Sequence, residues 1–598
     1  MENYHSRKDV PLKYRWNTEL LYQNEEEWHK DYEKLKHNIT LFSDFKNCVS
    51  NPEKLKQFLD LSIESEEIGD DLYVYAYMLN DQELGIAQNI SRLENITKLA
   101  SELELATNFF NNELLELSFE EFSKLEKEPI LKEYIPLLNE VYRQKKHILS
   151  EAEENLLTKM LEATNDYDKT TSNLNNREHE FGTVKIGDEK VKITSTNYRK
   201  LLRNKDSRLR KKVYTMVEKE YAKNAGTSAS LLNSYVKMDE TVAKIRKYDS
   251  AWDSYLFENK LSNNVFVSLK EVVFEHLDIY QKYLHLRQQV LNLSKQHKYD
   301  LYLDMTKDNT KEYSIEEAQD MVRNATFILG SEYLTKFDKI ISNRAVDYCE
   351  YAGKCSGGYC ISAANKFSFI LMSFLGDMNS VSTLAHESGH HVHFQFLAEN
   401  VAPMYQSQPS FVCEVASLLN ELLLSSYISN HSSSKEEKLV GLENAMDTIQ
   451  NNLYGAVREG FMEEQMHDYV RKGNTITKDY MYELSKESLH QFMSEEVILD
   501  DLSYYTWLRR SHYFSSFYLY SYAISVSIAA YLANEILKGN KEILTKYYDF
   551  LRTGNDISPM DVFLKLGINL EDKKVYEGAI SYFSHLIDEY QKIYESGE

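Results

Sequence analysis

Apolar residues recur at three- and four-residue spacing along most of this chain, which is the spacing of one face of an α-helix. An early stretch with this spacing, in which Glu and Asn occupy many of the positions between, has apolar residues at Ile96, Leu99, Leu103, Phe110, Leu114 and Leu117. Similar stretches run over Arg199 to Val242 and over Ser262 to Leu293. The pattern therefore predicts a mainly α-helical protein.

Two segments interrupt this helical period. From Phe181 to Thr196 apolar residues alternate with polar ones on either side of Gly187-Asp188, which predicts a β-hairpin. A second, non-helical segment is expected from Cys349 to Phe374, which is rich in Gly, Ser, aromatic and β-branched residues. We place a domain boundary at the hairpin, so that residues 1–195 form a helical N-terminal domain and residues 196–598 a second helical domain.

The composition supports this fold class and narrows the partners. With 20 Gly and 7 Pro among 598 residues, we expect long helices joined by short connections. Lys and Arg number 69 against 93 Asp and Glu, and the resulting charge of −24 would repel phosphate backbones and anionic lipid. We therefore expect no nucleic-acid partner and no membrane partner.

The cysteine content, the first nine residues and one uncharged segment indicate where in the cell the protein is expected. Five cysteines are too few, and odd in number, for a secreted disulfide framework, and the first nine residues contain no apolar signal segment. Ser511 to Asn534 has no formally charged side chain, but it contains six serines and five tyrosines, so we expect a helix buried in protein. We expect a cytoplasmic protein, either a monomer or a small homo-oligomer.

The candidate chemistry lies in His386-Glu387-Ser388-Gly389-His390. Histidines four residues apart differ by about 40° around a helix axis, so His386 and His390 can bind one metal ion from one helix face. Glu387 projects beside them and can take a proton from a metal-polarised water. An alternative is a surface helix with solvated side chains, but the flanking residues Val381, Leu384, Ala385, Val392 and Phe394 are apolar.

The third metal ligand separates the subclasses of such sites. An HExxHxxGxxH protease needs glycine at position 393 and histidine at position 396, where this chain has His393 and Phe396. That subclass is therefore excluded. A glutamate on a following helix is the other common solution.

The predicted helix Ser410 to Ile428 offers two such glutamates. Glu414 stands 24 residues after His390 in an apolar stretch, where a buried carboxylate needs a partner that a metal would supply. Glu421 is the weaker candidate, and a salt-bridged role for Glu414 is the alternative. Cys413 could also bind zinc, but it is adjacent to Glu414 and faces another way.

The segments Thr383 to His393 and Ser410 to Ser417 resemble the oligoendopeptidase F family, within the thimet-oligopeptidase-like zinc metallopeptidases. Val10 to Asn17, Phe181 to Lys212 and Tyr299 to Tyr302 resemble other landmarks of that family. The resemblance implies a mainly α, two-part molecule around a substrate channel, with a small β-hairpin or short sheet near the active site. It also implies hydrolysis of internal bonds of short oligopeptides.

The resemblance also implies the roles of particular residues. One zinc ion per chain would be held by His386, His390 and Glu414, with Glu387 as general base. Gly357, Gly358 and Tyr359 would hold the substrate backbone, since glycines allow close approach and an extended edge can pair with a peptide. An ordinary turn and core strand is the alternative for this loop.

In the same resemblance, His512 and nearby tyrosines would donate hydrogen bonds to the oxyanion that develops in the transition state. Tyr518 and Tyr522 share a helical face, whereas Tyr520 points to the opposite side and is a candidate for contact with substrate. Because the chain has 44 tyrosines, any one of these could instead be a core residue. Which tyrosine reaches the oxyanion is left open.

Five residues depart from the family pattern: Cys355 replaces an Arg, Ser368 a Pro, Ser373 an Asn, Ser380 an Asp, and Ser388 a residue that is hydrophobic in many relatives. The metal-binding positions are retained, so we expect zinc and activity. Two alternatives stand beside the endopeptidase. A zinc carboxypeptidase would need a free substrate C-terminus and a cation to hold it, and a non-catalytic helical binding protein would bind no metal. Cobalt or manganese could occupy the same ligands.

Overall fold

The computed structural model describes residues 4–596 apart from 165–166, 168–169, 172–173, 176–178, 195–196, 307–310 and 364–366. The chain divides into two compact units, each assembled from three segments that are separated in sequence. The first comprises Met1–Lys146, Thr310–Tyr427 and Glu535–Asn569, and the second His147–Asn309, Ile428–Asn534 and Leu570–Glu598. Residue 195 lies within the second unit, and the domain division at that residue stays a prediction.

The first unit combines helices with a small sheet. Its α-helices are Glu25–Leu41, Pro52–Gln82, Ala87–Thr107, Phe109–Glu116, Phe119–Leu125, Ile135–Arg143, Ile315–Ala325, Ser331–Ser342, Met378–Asn400, Ser410–His431, Lys541–Leu551 and Pro559–Lys565. Its strands are β3 (Val346–Asp347), β4 (Tyr359–Ser362) and β5 (Ser368–Leu371), in the order β3-β5-β4. The pairing of β5 is parallel with β3 and antiparallel with β4. The non-helical segment predicted from Cys349 to Phe374 is thus confirmed in its described residues.

The second unit is helical with one hairpin. Its α-helices are Glu151–Thr164, Tyr198–Leu202, Ser207–Ala222, Ala225–Ile245, Ala251–Glu258, Asn263–Glu275, Leu277–Val290, Lys435–Ile449, Ala456–Arg471, Lys478–Met493, Leu519–Leu537 and Lys573–Glu595. The boundaries between the assigned segments fall within the helices Ser410–His431 and Leu519–Leu537. The mainly α-helical fold is therefore confirmed.

The predicted hairpin is present as β1 (Thr183–Ile186) and β2 (Glu189–Lys192), although residues 195–196 at its predicted end lie outside the described residues. The two strands are antiparallel, and Ile186 pairs with Glu189. Gly187 has a φ of 58°, which suits glycine in the two-residue turn. The alternation of apolar residues and the Gly-Asp pair thus predicted both the strands and their turn.

Local capping divides the long predicted helices. The stretch from Arg199 to Val242 forms three helices, and Asp206 caps the second by accepting a hydrogen bond from the backbone N–H of Arg208. Ser262 caps Asn263–Glu275 in the same way through Asn264 N–H. Apolar spacing continues across these interruptions, which is why periodicity alone did not reveal them.

Within the described residues, one helix, Ser410–His431, is long and apolar enough to cross a membrane by length and composition alone. Its most apolar window is 72% buried inside the protein. A core helix of a large protein meets the same criterion.

Candidate active site

Two helices of the first unit carry the metal-binding motif: Met378–Asn400, here called the HExxH helix, and Ser410–His431, here called the Glu414 helix. They pack closely at Gly389, where an added Cβ would lie 2.5 Å from the Ala416 carbonyl oxygen and 2.6 Å from Ser417 Cα. Asn420 Nδ2 also donates a 3.2 Å hydrogen bond to the Ala385 carbonyl. Only glycine at position 389 permits this backbone approach.

The approach places both histidines opposite Glu414. The Oε2 atom of Glu414 lies 3.4 Å from His386 Nε2 and 3.6 Å from His390 Nε2. One potential ligand atom from each of these residues lies within 4.8 Å of the others. The three side chains keep 25%, 13% and 23% of their surface exposed for His386, His390 and Glu414, so a metal ion can reach them.

The Glu414 side chain is held in place by a residue of its own helix. Ser417, one turn later, donates a 2.8 Å hydrogen bond from Oγ to Glu414 Oε2. Glu421, which the sequence left as an alternative ligand, contacts the other side of the His386 ring: its Oε1 atom is 2.6 Å from Nδ1. Carboxylate bonding to the non-ligating nitrogen fixes the ring orientation of metal-binding histidines. The motif offered no signal for this orienting role.

The electrostatics of the site suit a cation. Burial opposes charge on His386, but the hydrogen bond and charge of Glu421, with Glu414 and Glu387, raise its pKa to about 9. Burial lowers the pKa of His390 well below its usual range. Three carboxylates thus surround one imidazole, and a divalent ion bound there would offset their negative charge.

Glu387 is buried next to these ligands, with 6% of its surface exposed. Burial raises its pKa to about 7; Glu414 and Glu421 add to the increase, while the His386 charge opposes it. A carboxylate with a pKa near neutrality is suited to accept and return a proton.

The glycine-containing loop lies next to Glu387. A Cβ on Gly358 would lie 2.9 Å from Thr383 Cγ2 and 3.5 Å from Glu387 Oε1. Gly357 has a φ of 100°, which favours glycine. The strand that follows, β4, is at the edge of its sheet, and no other strand pairs with its outer side among the described residues.

Tyr359 begins this strand but its side chain is engaged elsewhere. Its hydroxyl donates a 3.1 Å hydrogen bond to Asp81 Oδ2, and Asp81 also accepts the backbone N–H of Cys355 at 2.8 Å through its carbonyl. The side chain of Tyr359 therefore anchors the loop through Asp81.

Ser368 and Ser380, two of the serines at departing positions, have partners within the first unit. Ser380 Oγ donates a 2.6 Å hydrogen bond to Asp377, the residue that caps the HExxH helix. Ser368 Oγ and the buried His391 Nδ1 are 2.8 Å apart, which ties β5 to the same helix. Burial lowers the pKa of His391 to about 3, so this histidine is neutral. These serines support the helix without touching the three metal-binding side chains.

The remaining candidates form a separate cluster in the second unit. The ring centroids of Tyr518 and Tyr522 are 5.3 Å apart. The His512 ring centroid lies 6.2 Å from that of Tyr518 and 5.7 Å from that of Tyr522. Tyr522 OH and His512 Nε2 are 3.4 Å apart. Burial, together with the positive charge of Arg510, lowers the pKa of His512, so the ring is neutral.

Tyr520 is separated from this cluster. Its side chain is fully buried, and its hydroxyl donates a 2.7 Å hydrogen bond to Glu464. Its ring packs against Gly460, where an added Cβ would lie only 2.9 Å from the ring. A direct contact between Tyr520 and substrate has no support in this arrangement. Helical geometry predicts that Tyr520 points away from Tyr518 and Tyr522, and in the structure its side chain points into the core.

Sequence comparison assigns the family. A sequence model of peptidase family M3 matches residues 200–582, and one of oligopeptidase F matches residues 113–181. The chain belongs to peptidase family M3. Membership of M3 makes it a peptide hydrolase, and it confirms the resemblance on which the interpretation of the motif rests.

Relatives of this M3 peptidase match nearly its whole length. Oligopeptidase PepF of Bacillus subtilis (strain 168) is 29% identical over 591 residues, which cover 98% of this chain and 88% of the relative. The plasmid oligoendopeptidase F of Lactococcus lactis subsp. cremoris is 27% identical over 596 residues, 99% of each chain.

Solved structures show the same fold. A Chlamydophila abortus protein superposes with a TM-score of 0.90 at 26% identity, covering 98% of this chain and all of its own. Oligoendopeptidase-F from Enterococcus faecium has a TM-score of 0.72 at 24% identity, covering 95% and 99%.

Proposed function

We propose that this M3 peptidase is a zinc-dependent endopeptidase that hydrolyses internal bonds of short oligopeptides. The observation that supports it most is the grouping of His386, His390 and Glu414 within 4.8 Å beside the buried Glu387. Two imidazole nitrogens and one carboxylate oxygen are a ligand set of catalytic zinc sites. The acidic, cysteine-poor composition supports a cytoplasmic location.

The chain's own residues divide the remaining work. Zinc, when bound by the two histidines and Glu414, would polarise a water molecule and lower its pKa to about 7. Glu387 accepts the proton of the attacking water and returns it to the leaving amine. The outer edge of β4 and the backbone of Gly357 and Gly358 hold the extended peptide.

In the second unit, His512 provides the hydrogen-bond donor for the developing oxyanion. A neutral imidazole has one N–H to donate, and the hydroxyl of Tyr518 or Tyr522 adds a second donor. Tyr520 has no part in this proposal, because its hydroxyl is bound to Glu464.

The test is cleavage of an internally quenched peptide blocked at both termini, with and without a chelator and with zinc added back. Chelator-sensitive cleavage that zinc restores supports the proposal. Trimming of free-ended peptides without cleavage of the blocked one would instead assign a carboxypeptidase. Cleavage that is unaffected by removal of all bound metal would overturn the metal-dependent assignment.

A further inference from the structure

The second unit contains a cavity of about 670 Å³ that is rich in cations, here called the cationic cavity. The whole chain carries a net charge of −24, yet six cationic side chains line this cavity against three carboxylates. The cations are Arg199, Arg203, Arg287, Lys298, Arg458 and Arg510. The carboxylates are Asp304, Asp447 and Glu459. An excess of positive charge in a concave site favours an anionic ligand.

Two of these cations share one counter-ion. Arg458 Nη2 and Arg510 Nη2 donate hydrogen bonds of 2.6 Å and 2.7 Å to the same oxygen of Glu459. One carboxylate therefore neutralises only one of the two guanidinium charges. The other charge is available to a ligand.

The side-chain amine of Lys298 has no partner among the described residues. Its ammonium group has no hydrogen bond, ion pair or ring contact among the described residues, although its backbone N–H is bonded to the Ile498 carbonyl. Burial and the neighbouring Arg458 lower the pKa of Lys298 to about 7. A bound anion would reverse this effect, because it would stabilise the charged form.

The position of Lys298 is fixed by the turn that carries it. Lys298–Tyr302 is a 3₁₀ helix, and the buried Asp300 within it accepts hydrogen bonds of 3.0 Å and 2.6 Å from Arg210. The lining of the cavity also includes residues of the π-helical turn Gln450–Gly455. Turns of this type are frequent at functional sites.

His512 and Tyr522, the proposed oxyanion donors, line the same cavity. We propose that the cationic cavity binds a carboxylate of the peptide substrate, with Lys298 as the principal recognition residue. The carboxylate is either the peptide's C-terminus or an Asp or Glu side chain. This inference rests on the proposed function, since it specifies the substrate of that reaction.

Binding to the zinc-loaded, full-length Glu387→Gln variant tests it without requiring turnover. Fluorescence anisotropy would compare one labelled peptide as free acid and as C-terminal amide, and then the amide with an internal Gln replaced by Glu. We expect one carboxylate-bearing form to bind about tenfold more tightly than the neutral amide, the effect of one charge-assisted hydrogen bond. The form that gains affinity identifies the source of the carboxylate.

Lys298→Met should reduce this preference to about twofold or less, while Lys298→Arg should retain it. Lys295→Met, the same substitution at an exposed lysine three residues earlier, is the matched control. Equal binding of all three peptide forms by the parent protein, or a full preference in Lys298→Met, would overturn the inference. Failure of the proposed function is distinguishable, because it would be absence of peptide cleavage by the wild-type protein.

Discussion

Glu421 Oε1 lies 2.6 Å from Nδ1 of His386, so this carboxylate holds the imidazole from the side opposite its metal-binding nitrogen. The Nε2 atom of the same ring faces Glu414 at 3.4 Å. In the proposed zinc site, the two glutamates of one helix would therefore have different roles, one as ligand and one as orienting partner.

Replacing these glutamates should separate the two roles. Glu414→Ala removes a ligand, so we expect zinc content well below one ion per chain after gel filtration. Glu421→Gln should keep the ion but weaken its affinity by about 10- to 100-fold, measured by competition with a chromophoric chelator. Full zinc content in Glu414→Ala with loss in Glu421→Gln would reverse the assignment.

Glu387→Gln should keep zinc and lose turnover. The amide cannot accept the proton of the attacking water, so we expect kcat to fall by about 10²- to 10⁴-fold. Metal content and kcat are measured on the same preparation. Glu399→Gln, on the same helix and paired with Lys336 and Lys339, is the control that should retain activity. An active Glu387→Gln enzyme would refute the general-base role.

Gly389→Ala should destabilise the first unit. Its methyl group would overlap the Ala416 carbonyl, so we expect a loss of about 1–3 kcal/mol in the free energy of unfolding, measured in urea. Gly226→Ala is the matched control, because a Cβ there meets nothing within 4 Å and should stabilise by about 0.4–1 kcal/mol. Equal effects in both variants would argue against the close helix contact.

Gly358→Ala should reduce activity while the protein stays folded. The new methyl group would press on Thr383 Cγ2 and approach Glu387, thereby narrowing the place proposed for the peptide backbone. We expect kcat/KM to fall by about 10²-fold, as small misplacements at reacting centres do. The double variant Gly358→Ala/Thr383→Ser removes the contacted methyl and should recover part of the loss, and no recovery would count against this contact.

His512→Ala should lower kcat by about 10²- to 10³-fold without changing zinc content, since it removes one proposed oxyanion donor. Tyr518→Phe and Tyr522→Phe each remove a single hydroxyl, so the larger decrease in kcat identifies the second donor. Tyr520→Phe serves as the comparison: its hydroxyl binds Glu464, and thermal stability rather than kcat should change. Unchanged kcat in His512→Ala would remove the second unit's cluster from the mechanism.

The sequence by itself determined the fold class, the hairpin and the placement of His386 and His390 on one helix face. These features are local: apolar spacing sets a helix, Gly187-Asp188 sets a turn, and residues four apart on a helix share a face. The pattern thus placed His386 and His390 together before any tertiary contact was known.

The different positions of Glu414 and Glu421 relative to His386 depend on tertiary structure. The two residues stand seven apart, which is about two helical turns, so both lie on nearly the same face of the helix. The packing of Gly389 against Ala416 fixes how the two helices are positioned along each other, and therefore which ring nitrogen of His386 each carboxylate contacts. The cationic cavity likewise depends on tertiary packing, because its cations come from segments as distant in sequence as Arg199 and Arg510. Local patterns carry no information about such distant neighbours.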